Sequence, residues 1–266
     1  MAILAGEVQF TGTMGGFSAY RMKGSDKIVI RRKGGPGREQ VKRHRNFEIT
    51  RKQNEEWKGC VLACKNLSDS FFPIKHLSDH NFSAPLTGLC KSIQKDDTIH
   101  PLGQRSILLS QYAYKLEGFS LNKYNSFESI VRHPLQYETD RNNGTAWVQL
   151  PELVPGINLG NPMKQPLYRM VVSLGAVTDI HYHPNRNRYE PVTDTITHPV
   201  TSSTDWCSYK QTTPATLLTL ALNTLPVPPH LSMVLAVGIE FGVPVSNTDI
   251  RPVKYAGAGK VVRVEG

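Results

Sequence analysis

The chain has 266 residues, of which 39% are hydrophobic and 20% are charged. This composition is typical of a globular protein and excludes a disordered chain. No run approaches the roughly 20 apolar residues of a membrane-spanning helix, which excludes an integral membrane protein of that kind. The first ten residues lack the basic and apolar regions of a secretory signal. We therefore expect synthesis in the cytoplasm, and the final compartment, including assembly outside the cell or in a virion, stays open.

The formal net charge of +9 is concentrated in one segment of the sequence. Between Arg21 and Lys58 there are 13 Lys and Arg against 5 Asp and Glu, so this window carries +8 of the total. Such a segment favours an anionic partner, because neutralised phosphates release their counterions. A solvated helix face, or contact with an acidic patch on a neighbouring subunit, accounts for the same charge.

Residues 1–37 predict a small β meander at the N-terminus. Alternating side chains favour strands at Glu7–Thr11, Phe17–Met22 and Lys27–Lys33. Glycine-rich stretches place a turn between the first two strands at 12–16 and another before the third. Because a meander this thin is not stable by itself, we expect it to pack on the rest of the chain or on another chain.

Residues 38–116 predict a helical layer, whose first helix begins near Arg38 and is amphipathic. Its predicted apolar face is formed by Phe47, Asn54, Trp57, Val61 and Cys64. Its predicted solvent side is formed by Arg51, Lys52, Glu55 and Glu56. Two shorter helices are predicted at Ala84–Lys95 and Pro101–Tyr114 from their apolar spacing.

Residues 117–266 predict an antiparallel β domain similar to a sandwich, with a polar insertion near 181–209. The predicted strands are Phe127–Tyr137, Thr145–Leu150, Leu167–Ala176, Thr216–Asn223, Ser232–Phe241 and Lys260–Val264. An Asn-Gly pair at 143–144 is a strong hairpin signal between the first two of them. Short strands without helical crossovers favour antiparallel pairing, so the predicted fold class is α+β.

Two parts of the sequence resemble a known family. The N-terminal part is a glycine-rich hairpin and basic helix with Gly6, Phe10, Gly12-Thr13, Gly15-Gly16, Ser18, Tyr20, Lys23, Arg31-Arg32-Lys33-Gly34-Gly35, Phe47, Thr50-Arg51 and Asn54-Glu55. The C-terminal part is Leu217–Phe241, which ends in Leu-Ala-Val-Gly-Ile-Glu-Phe. Together they resemble a family of small Bacteroidota proteins that is catalogued only as a domain of unknown function. The resemblance covers about the first 67 residues and the segment near the end. It implies a hairpin, a basic helix and a C-terminal β domain, and it transfers no catalytic residue.

The histidines and cysteines offer only weak site candidates. Asp179, His181 and His183 alternate along a predicted strand, and two imidazoles at this spacing can chelate a metal. A polar strand end is the alternative, since no third ligand has a recognisable spacing. Cys60 and Cys64 fit neither a zinc ribbon nor a redox motif, and we expect buried thiols.

No enzyme class is predicted. The glycines at 12, 15 and 16 match neither the P-loop nor the dinucleotide fingerprint, and no nucleophile elbow is present. We therefore predict no catalytic residue, no cofactor and no enzymatic activity.

The sequence favours a structural subunit that assembles with copies of itself into a fibre, a tube or a shell. A detached strand can complete the open sheet of a neighbour, and a head-to-tail contact of this kind propagates into a polymer. The predicted contact residues are Val8, Phe10, Phe17, Tyr20, Arg31, Arg32 and Lys33.

The alternative function is binding of nucleic acid without sequence specificity. Its predicted contacts are Arg31, Arg32, Lys42, Arg43 and Arg45. No helix-turn-helix, zinc-finger or RNA-recognition pattern accompanies these charges, so only phosphate contact is expected.

Overall fold

A computed structural model describes residues 2–4, 10–22, 25–193, 198–223, 227–246 and 249–266 of the chain. The chain divides into two compact units, Met1–Arg51 and Lys52–Gly266. We call the first the N-terminal unit and the second the body. The division predicted from the sequence at 37/38 and 116/117 stays a prediction. Within the described residues, no helix is both long and apolar enough to cross a membrane.

The N-terminal unit contains an antiparallel sheet of four short strands. They are β1 Ala2–Leu4, β2 Gly12–Met14, β3 Phe17–Arg21 and β4 Ile28–Arg32, in the spatial order β1-β4-β3-β2. Two residues, Gly15 and Gly16, join β2 to β3, and Gly15 has a φ of +56° that favours glycine. The predicted turn at 12–16 is therefore shorter than expected, because its first residues extend the hairpin. Most of the predicted strand Glu7–Thr11 lies outside the described residues, and Phe10 and Thr11 are not in a strand.

The helix predicted from about Arg38 is confirmed, with an interruption. Helix α1 spans Arg38–Arg43 and helix α2 spans Glu48–Ser70, with the extended residue His44 and a short 3-10 helix, Arg45–Phe47, between them. The guanidinium of Arg51 donates to the carbonyl oxygens of Val41 and His44, so it links α2 to the end of α1. Helix α1 buries none of its residues.

The apolar face predicted for α2 is wrong except at Cys64, which is buried. Trp57 and Val61 are 48% and 49% exposed, whereas Glu56, which was predicted on the solvent side, is completely buried. The side chains that α2 buries are centred on another face of the helix, and the apolar ones are Cys60, Ala63, Cys64 and Leu67. The composition of α2 does not distinguish the two faces, because each carries apolar and charged residues.

Three further helices follow, α3 Ser83–Lys95, α4 Leu109–Tyr112 and α5 Phe127–Ile130. Helix α3 confirms its prediction. The predicted helix Pro101–Tyr114 is wrong up to residue 108, because the carboxylate of Asp97 accepts backbone N–H groups from the loop that it organises. The predicted strand Phe127–Tyr137 is wrong up to residue 135, since the strand begins only at Gln136. At its predicted start α5 forms instead, and Ser126 caps this helix by accepting from the N–H of Ser129.

Eleven strands lie in the part of the body that the structure describes. They are β5 Gln136–Asp140, β6 Thr145–Leu150, β7 Leu167–Thr178, β8 Ile180–His183, β9 Arg188–Pro191, β10 Val200–Ser203, β11 Cys207–Ser208, β12 Thr216–Ala221, β13 Leu231–Pro244, β14 Ile250–Pro252 and β15 Ala258–Glu265. Strands β7 and β13 form the centre of a six-stranded sheet, with β10 and β11 beside β7 and with β14 and β15 beside β13. Strands β12, β6 and β5 form a three-stranded sheet, and β8 pairs with β9. The segment predicted as a polar insertion, 181–209, thus supplies two strands to the larger sheet.

The six-stranded sheet is covered on both faces. Alternate residues of β13 pack against the three-stranded sheet on one side, where Val148 and Leu220 lie, and against the helical layer on the other, where Leu67 and Ile93 lie. Twelve consecutive residues of β13 are buried, as expected for a strand between two layers. All strand ladders in the described residues are antiparallel, so the predicted α+β fold with an antiparallel β domain is confirmed.

The end of α2 approaches β7 closely. A Cβ atom at Gly175 would lie 2.0 Å from the carbonyl oxygen of Ser70, so only glycine fits at this position. Gly59 is similar, because the ring of Tyr189 lies flat against it, 2.6 Å from the place of a Cβ. Glycines therefore set how tightly the helical layer packs on the strands.

Candidate contact surface of the N-terminal unit

One face of the N-terminal sheet exposes large apolar side chains next to a cation. Residues that are directly opposite in an antiparallel ladder share a face, and Phe17 is opposite both Met14 and Arg32. Met14 is 65% exposed and Phe17 is 53% exposed. We call this surface, formed by Met14, Phe17 and Arg32, the Phe17 face.

The opposite face of the same sheet has a different composition. Val29 is opposite both Ile3 and Tyr20, so these three side chains point to this side. The guanidinium of Arg31 lies 5.5 Å from the centre of the Tyr20 ring, a cation–π contact. Ile3 is 57% exposed and Tyr20 is 40% exposed. We call this surface, formed by Ile3, Tyr20 and Arg31, the Tyr20 face.

The sheet buries little of itself. Only Ala19, Ile28 and Val29 are buried among its described side chains, and all three lie away from the Gly15-Gly16 turn. In the part of the chain that the structure describes, β1 pairs only with β4, and β2 pairs only with β3. Both end strands therefore present backbone groups that can pair with another strand.

The predicted contact residues do not form a single patch. Phe17 and Arg32 lie on one face, whereas Tyr20 and Arg31 lie on the other. Lys33 is exposed at the turn, where its backbone N–H donates to the carbonyl oxygen of Gly16. Phe10 is half-buried and precedes β2. Val8 lies outside the described residues.

Sequence reasoning missed two apolar residues of this surface. Met14 was assigned to a turn, and Ile3 was not assigned to a strand. The signal for Met14 is the two-residue turn itself, because a turn at Gly15-Gly16 places Met14 directly opposite Phe17.

The N-terminal unit also carries most of the charge. Residues 1–51 contain eleven Lys and Arg against four Asp and Glu, which gives +7 of the net +9. Lys42 and Arg43 form long ion pairs with Glu39, at 3.6 and 3.5 Å, and all three side chains are exposed. Arg45 is exposed as well. Since exposed pairs at such distances contribute little, these cations are available to an anionic partner.

The buried charges of the body contrast with these cations, and Glu56 is the clearest case. Arg105 donates to both of its carboxylate oxygens at 2.6 and 2.7 Å, the ammonium of Lys91 donates at 2.6 Å and the N–H of Gly103 at 2.9 Å. Burial by itself raises the pKa of Glu56, but these donors outweigh it and lower the pKa to about 2. Every oxygen of the carboxylate is satisfied, so this cluster stabilises the fold and has no free group for chemistry.

Asp179 and the two histidines of the weak metal candidate lie in different environments. His181 and His183 are exposed on β8, whereas Asp179 is buried and accepts from the backbone N–H and the hydroxyl of Ser110. No group of three potential metal ligands occurs within the described residues. Asp179 was expected beside the histidines, and its hydrogen bonds with Ser110 explain why it points elsewhere.

The cysteines behave as small apolar residues. Cys60, Cys64 and Cys90 are buried free thiols, as predicted, and Cys207 is half-buried. Burial raises the pKa of Cys60 to about 11, and it raises the pKa of Cys90 as well. Cys60 and Cys90 are therefore protonated at neutral pH and are poor nucleophiles.

No family model, no curated protein and no solved structure matches this chain. The resemblance to the Bacteroidota family therefore stays a prediction. The N-terminal unit combines exposed apolar side chains with most of the positive charge.

Proposed function

We propose that the chain is a structural subunit that assembles with copies of itself through the N-terminal unit. The observation that carries this proposal is the pair Met14 and Phe17, two large apolar side chains that are more than half exposed and adjacent on one face of a sheet. Contiguous exposed apolar surface of this kind marks interaction sites in soluble proteins. The end strands of the sheet add backbone groups that a neighbouring strand can pair with.

The two faces of the sheet favour a polymer over a closed dimer. The Phe17 face and the Tyr20 face lie on opposite sides of the sheet, so contact between the Phe17 face of one copy and the Tyr20 face of the next is heterologous. A heterologous contact continues from copy to copy unless its rotation closes a ring. We therefore propose a head-to-tail fibre, tube or shell.

The test is the size of the purified protein, measured by light scattering and negative-stain electron microscopy. We expect large assemblies from the wild type and soluble monomers from the double variant Met14→Ser/Phe17→Ser. The matched control is Ile99→Ser/Ile157→Ser in the body, where the side chains are 85% and 73% exposed, and it should assemble normally. Deletion of residues 1–24 should also give monomers. Assemblies that persist in both N-terminal variants would contradict the proposal.

A second candidate function is phosphate contact with nucleic acid, and the charge of +7 within 51 residues favours it. Binding of a fluorescent oligonucleotide should weaken steeply with salt, because lysines and arginines that neutralise phosphates release the counterions of the nucleic acid. Replacement of Arg31, Arg32, Lys42, Arg43 and Arg45 by Glu should abolish it. Met14→Ser/Phe17→Ser should leave it unchanged, so the two functions are separable. Absence of binding at low salt would exclude this candidate.

A further inference from the structure

The body contains a cleft of about 410 Å³ that plays no part in the proposed assembly. The end of a 3-10 helix, Phe72–Leu77, lies on one side of it, and the turn between β14 and β15 lies on the other. Strand β13 contributes Glu240 to the lining. The volume is in the range of sites that hold small molecules, so the charges and hydrogen-bonding groups of the lining decide which ligand fits.

A buried carboxylate lines this cleft and has no spare oxygen. Glu240 is 2% exposed, and Arg169, directly opposite it in the ladder of β7 and β13, donates from Nε to one oxygen at 2.6 Å. Nε2 of His76 lies 2.7 Å from the other oxygen. Burial raises the pKa of Glu240, but the hydrogen bonds from His76 and Arg169 outweigh it and hold the pKa below its ordinary value. The carboxylate is therefore ionised at neutral pH, and Nε2 of His76 donates to it.

The imidazole of His76 presents a hydrogen-bond acceptor to the cleft. A neutral imidazole carries one proton, and because that proton lies on Nε2, the second nitrogen, Nδ1, has a free lone pair. The side chain is 52% exposed, and no partner for Nδ1 is found among the described residues. The fixed carboxylate of Glu240 sets the orientation and the tautomer of the ring. A ligand of this cleft must therefore donate a hydrogen bond to Nδ1.

The charges around the cleft favour a neutral ligand. Lys254, on the turn, is exposed and forms no ion pair with the described residues. A single exposed lysine holds an anion only weakly, since water and salt screen it. A cation is disfavoured as well, because Arg169 already neutralises Glu240 and Lys254 repels a second positive charge. The ammonium of Lys254 therefore serves as a donor to a neutral oxygen.

The remaining lining groups combine a hydroxyl, an aromatic ring and an apolar wall. Ser78 is half-buried, and its hydroxyl can both donate and accept. Tyr255 is 61% exposed and has a φ of +64°, a left-handed conformation that is uncommon for a tyrosine. Strained backbone of this kind is concentrated at ligand sites. The apolar wall is formed by Leu77, Pro252 and Val253.

We propose that this cleft binds a saccharide, a neutral ring whose hydroxyl groups both donate and accept hydrogen bonds. One hydroxyl donates to Nδ1 of His76, and a second accepts from the ammonium of Lys254. The hydroxyl of Ser78 bonds to a third in either direction. The C–H face of the sugar ring packs on Tyr255 and the apolar wall, since a tyrosine offers an apolar ring with a polar end. A few convergent polar groups beside apolar surface are the usual composition of a small-molecule site.

The test is nitrogen NMR of the histidine rings at about pH 8, during titration with methyl α-glucoside, methyl α-mannoside, methyl β-galactoside or cyclohexanol. The sample is the full-length Met14→Ser/Phe17→Ser variant, in which assembly cannot broaden the signals. We expect His76 to carry its proton on Nε2, and at least one glycoside to shift Nδ1 with a dissociation constant of about 1 to 10 mM. Cyclohexanol, with one hydroxyl, should give no saturable shift. A proton on Nδ1, no saturable shift with any glycoside, or an equal response to cyclohexanol would overturn the proposal.

Calorimetry of further variants with the best glycoside tests the lining. Tyr255→Gly should weaken binding about tenfold, because the ring is lost while glycine keeps the left-handed backbone without strain. The matched control is Lys164→Gly, which replaces another exposed residue with a positive φ, +52°, and should bind like the wild type. His76→Gln should also weaken binding about tenfold, since the acceptor is displaced. Equal affinity in Tyr255→Gly and Lys164→Gly would overturn the proposal. Binding should be the same with and without Met14→Ser/Phe17→Ser, so these outcomes are independent of assembly.

Discussion

The N-terminal sheet and the six-stranded sheet of the body are both antiparallel, but they use apolar side chains differently. In the body, β13 lies between two layers and both of its faces are buried. In the N-terminal unit, Met14 and Phe17 are more than half exposed on one face, and Ile3 and Tyr20 are exposed on the other. Buried apolar side chains of the six-stranded sheet stabilise the fold, whereas the exposed apolar side chains of the N-terminal sheet are those that the proposed assembly uses.

Charged residues differ in the same way between the two units. The body satisfies Glu56 with Arg105 and Lys91 at hydrogen-bond distance, and it satisfies Glu240 with Arg169 and His76. The N-terminal unit instead holds an excess of exposed cations. The stability of the fold therefore depends on the buried groups of the body, and the proposed assembly depends on the exposed groups of the N-terminal unit.

The largest expected difference in stability is between alanine variants of two phenylalanines, one in each unit. Phe241→Ala should lower the free energy of unfolding by about 3 to 5 kcal/mol, because Phe241 is completely buried in the core between the two sheets. Phe17→Ala should change it by no more than about 0.5 kcal/mol, since the ring is 53% exposed. Urea unfolding measures both. A comparable loss of unfolding free energy in the two variants would contradict the difference in packing between the body and the N-terminal sheet.

Two glutamates with paired cations provide the next test. Glu56→Ala should cost about 3 to 5 kcal/mol, because Arg105 and Lys91 lose the carboxylate that compensates them in a buried site. Glu39→Ala should cost less than about 1 kcal/mol, since its pairs with Lys42 and Arg43 are long and exposed. Thermal and urea unfolding of the two variants give the comparison. A small effect of Glu56→Ala would show that the buried cluster is dispensable.

Acid should act on the body through Glu56. Its pKa is about 2 in the folded chain against an ordinary value of 4.5, so the unfolded chain takes up the proton first as the pH falls. The contribution of Glu56 is fully present above about pH 4.5 and is lost progressively towards pH 2, in total about 3 kcal/mol. Urea unfolding between these pH values should show a steeper loss for the wild type than for Glu56→Gln. Equal slopes would contradict the lowered pKa.

The smallest expected difference in stability is between alanine variants of two glycines, one in each unit. Gly175→Ala should cost about 1 to 3 kcal/mol, because the added methyl group meets the backbone of Ser70 at 2.0 Å and backbone cannot move aside easily. Gly16→Ala should stay within about 1 kcal/mol of the wild type, since nothing lies within 4 Å of the added atom and Gly16 is outside the left-handed region. The difference in melting temperature between the variants is the measurement, and equal melting temperatures would show that the body tolerates looser packing.

The strand Thr145–Leu150 was predicted with its exact bounds, because alternation and the Asn-Gly turn act over neighbouring residues. Helix α3 was predicted to within one residue, because the apolar spacing of a helix is also a local property. The helix predicted at Pro101–Tyr114 failed where Asp97 binds the backbone of the loop. Of the predicted contact residues, Phe17, Tyr20, Arg31 and Arg32 lie on the N-terminal sheet, but on two faces, and their role in contact stays a prediction.

The sequence by itself determined the α+β class, the antiparallel pairing and the position of the charge, since period, turn residues and residue type are local properties. Tertiary structure decided which face of α2 is buried. Glu56 is enclosed by Arg105 and Lys91, which lie 49 and 35 residues away in the chain. The same holds for Glu240, whose partners His76 and Arg169 are 164 and 71 residues distant. Local patterns cannot report such contacts, because a buried charge depends on groups that only folding brings within hydrogen-bond distance.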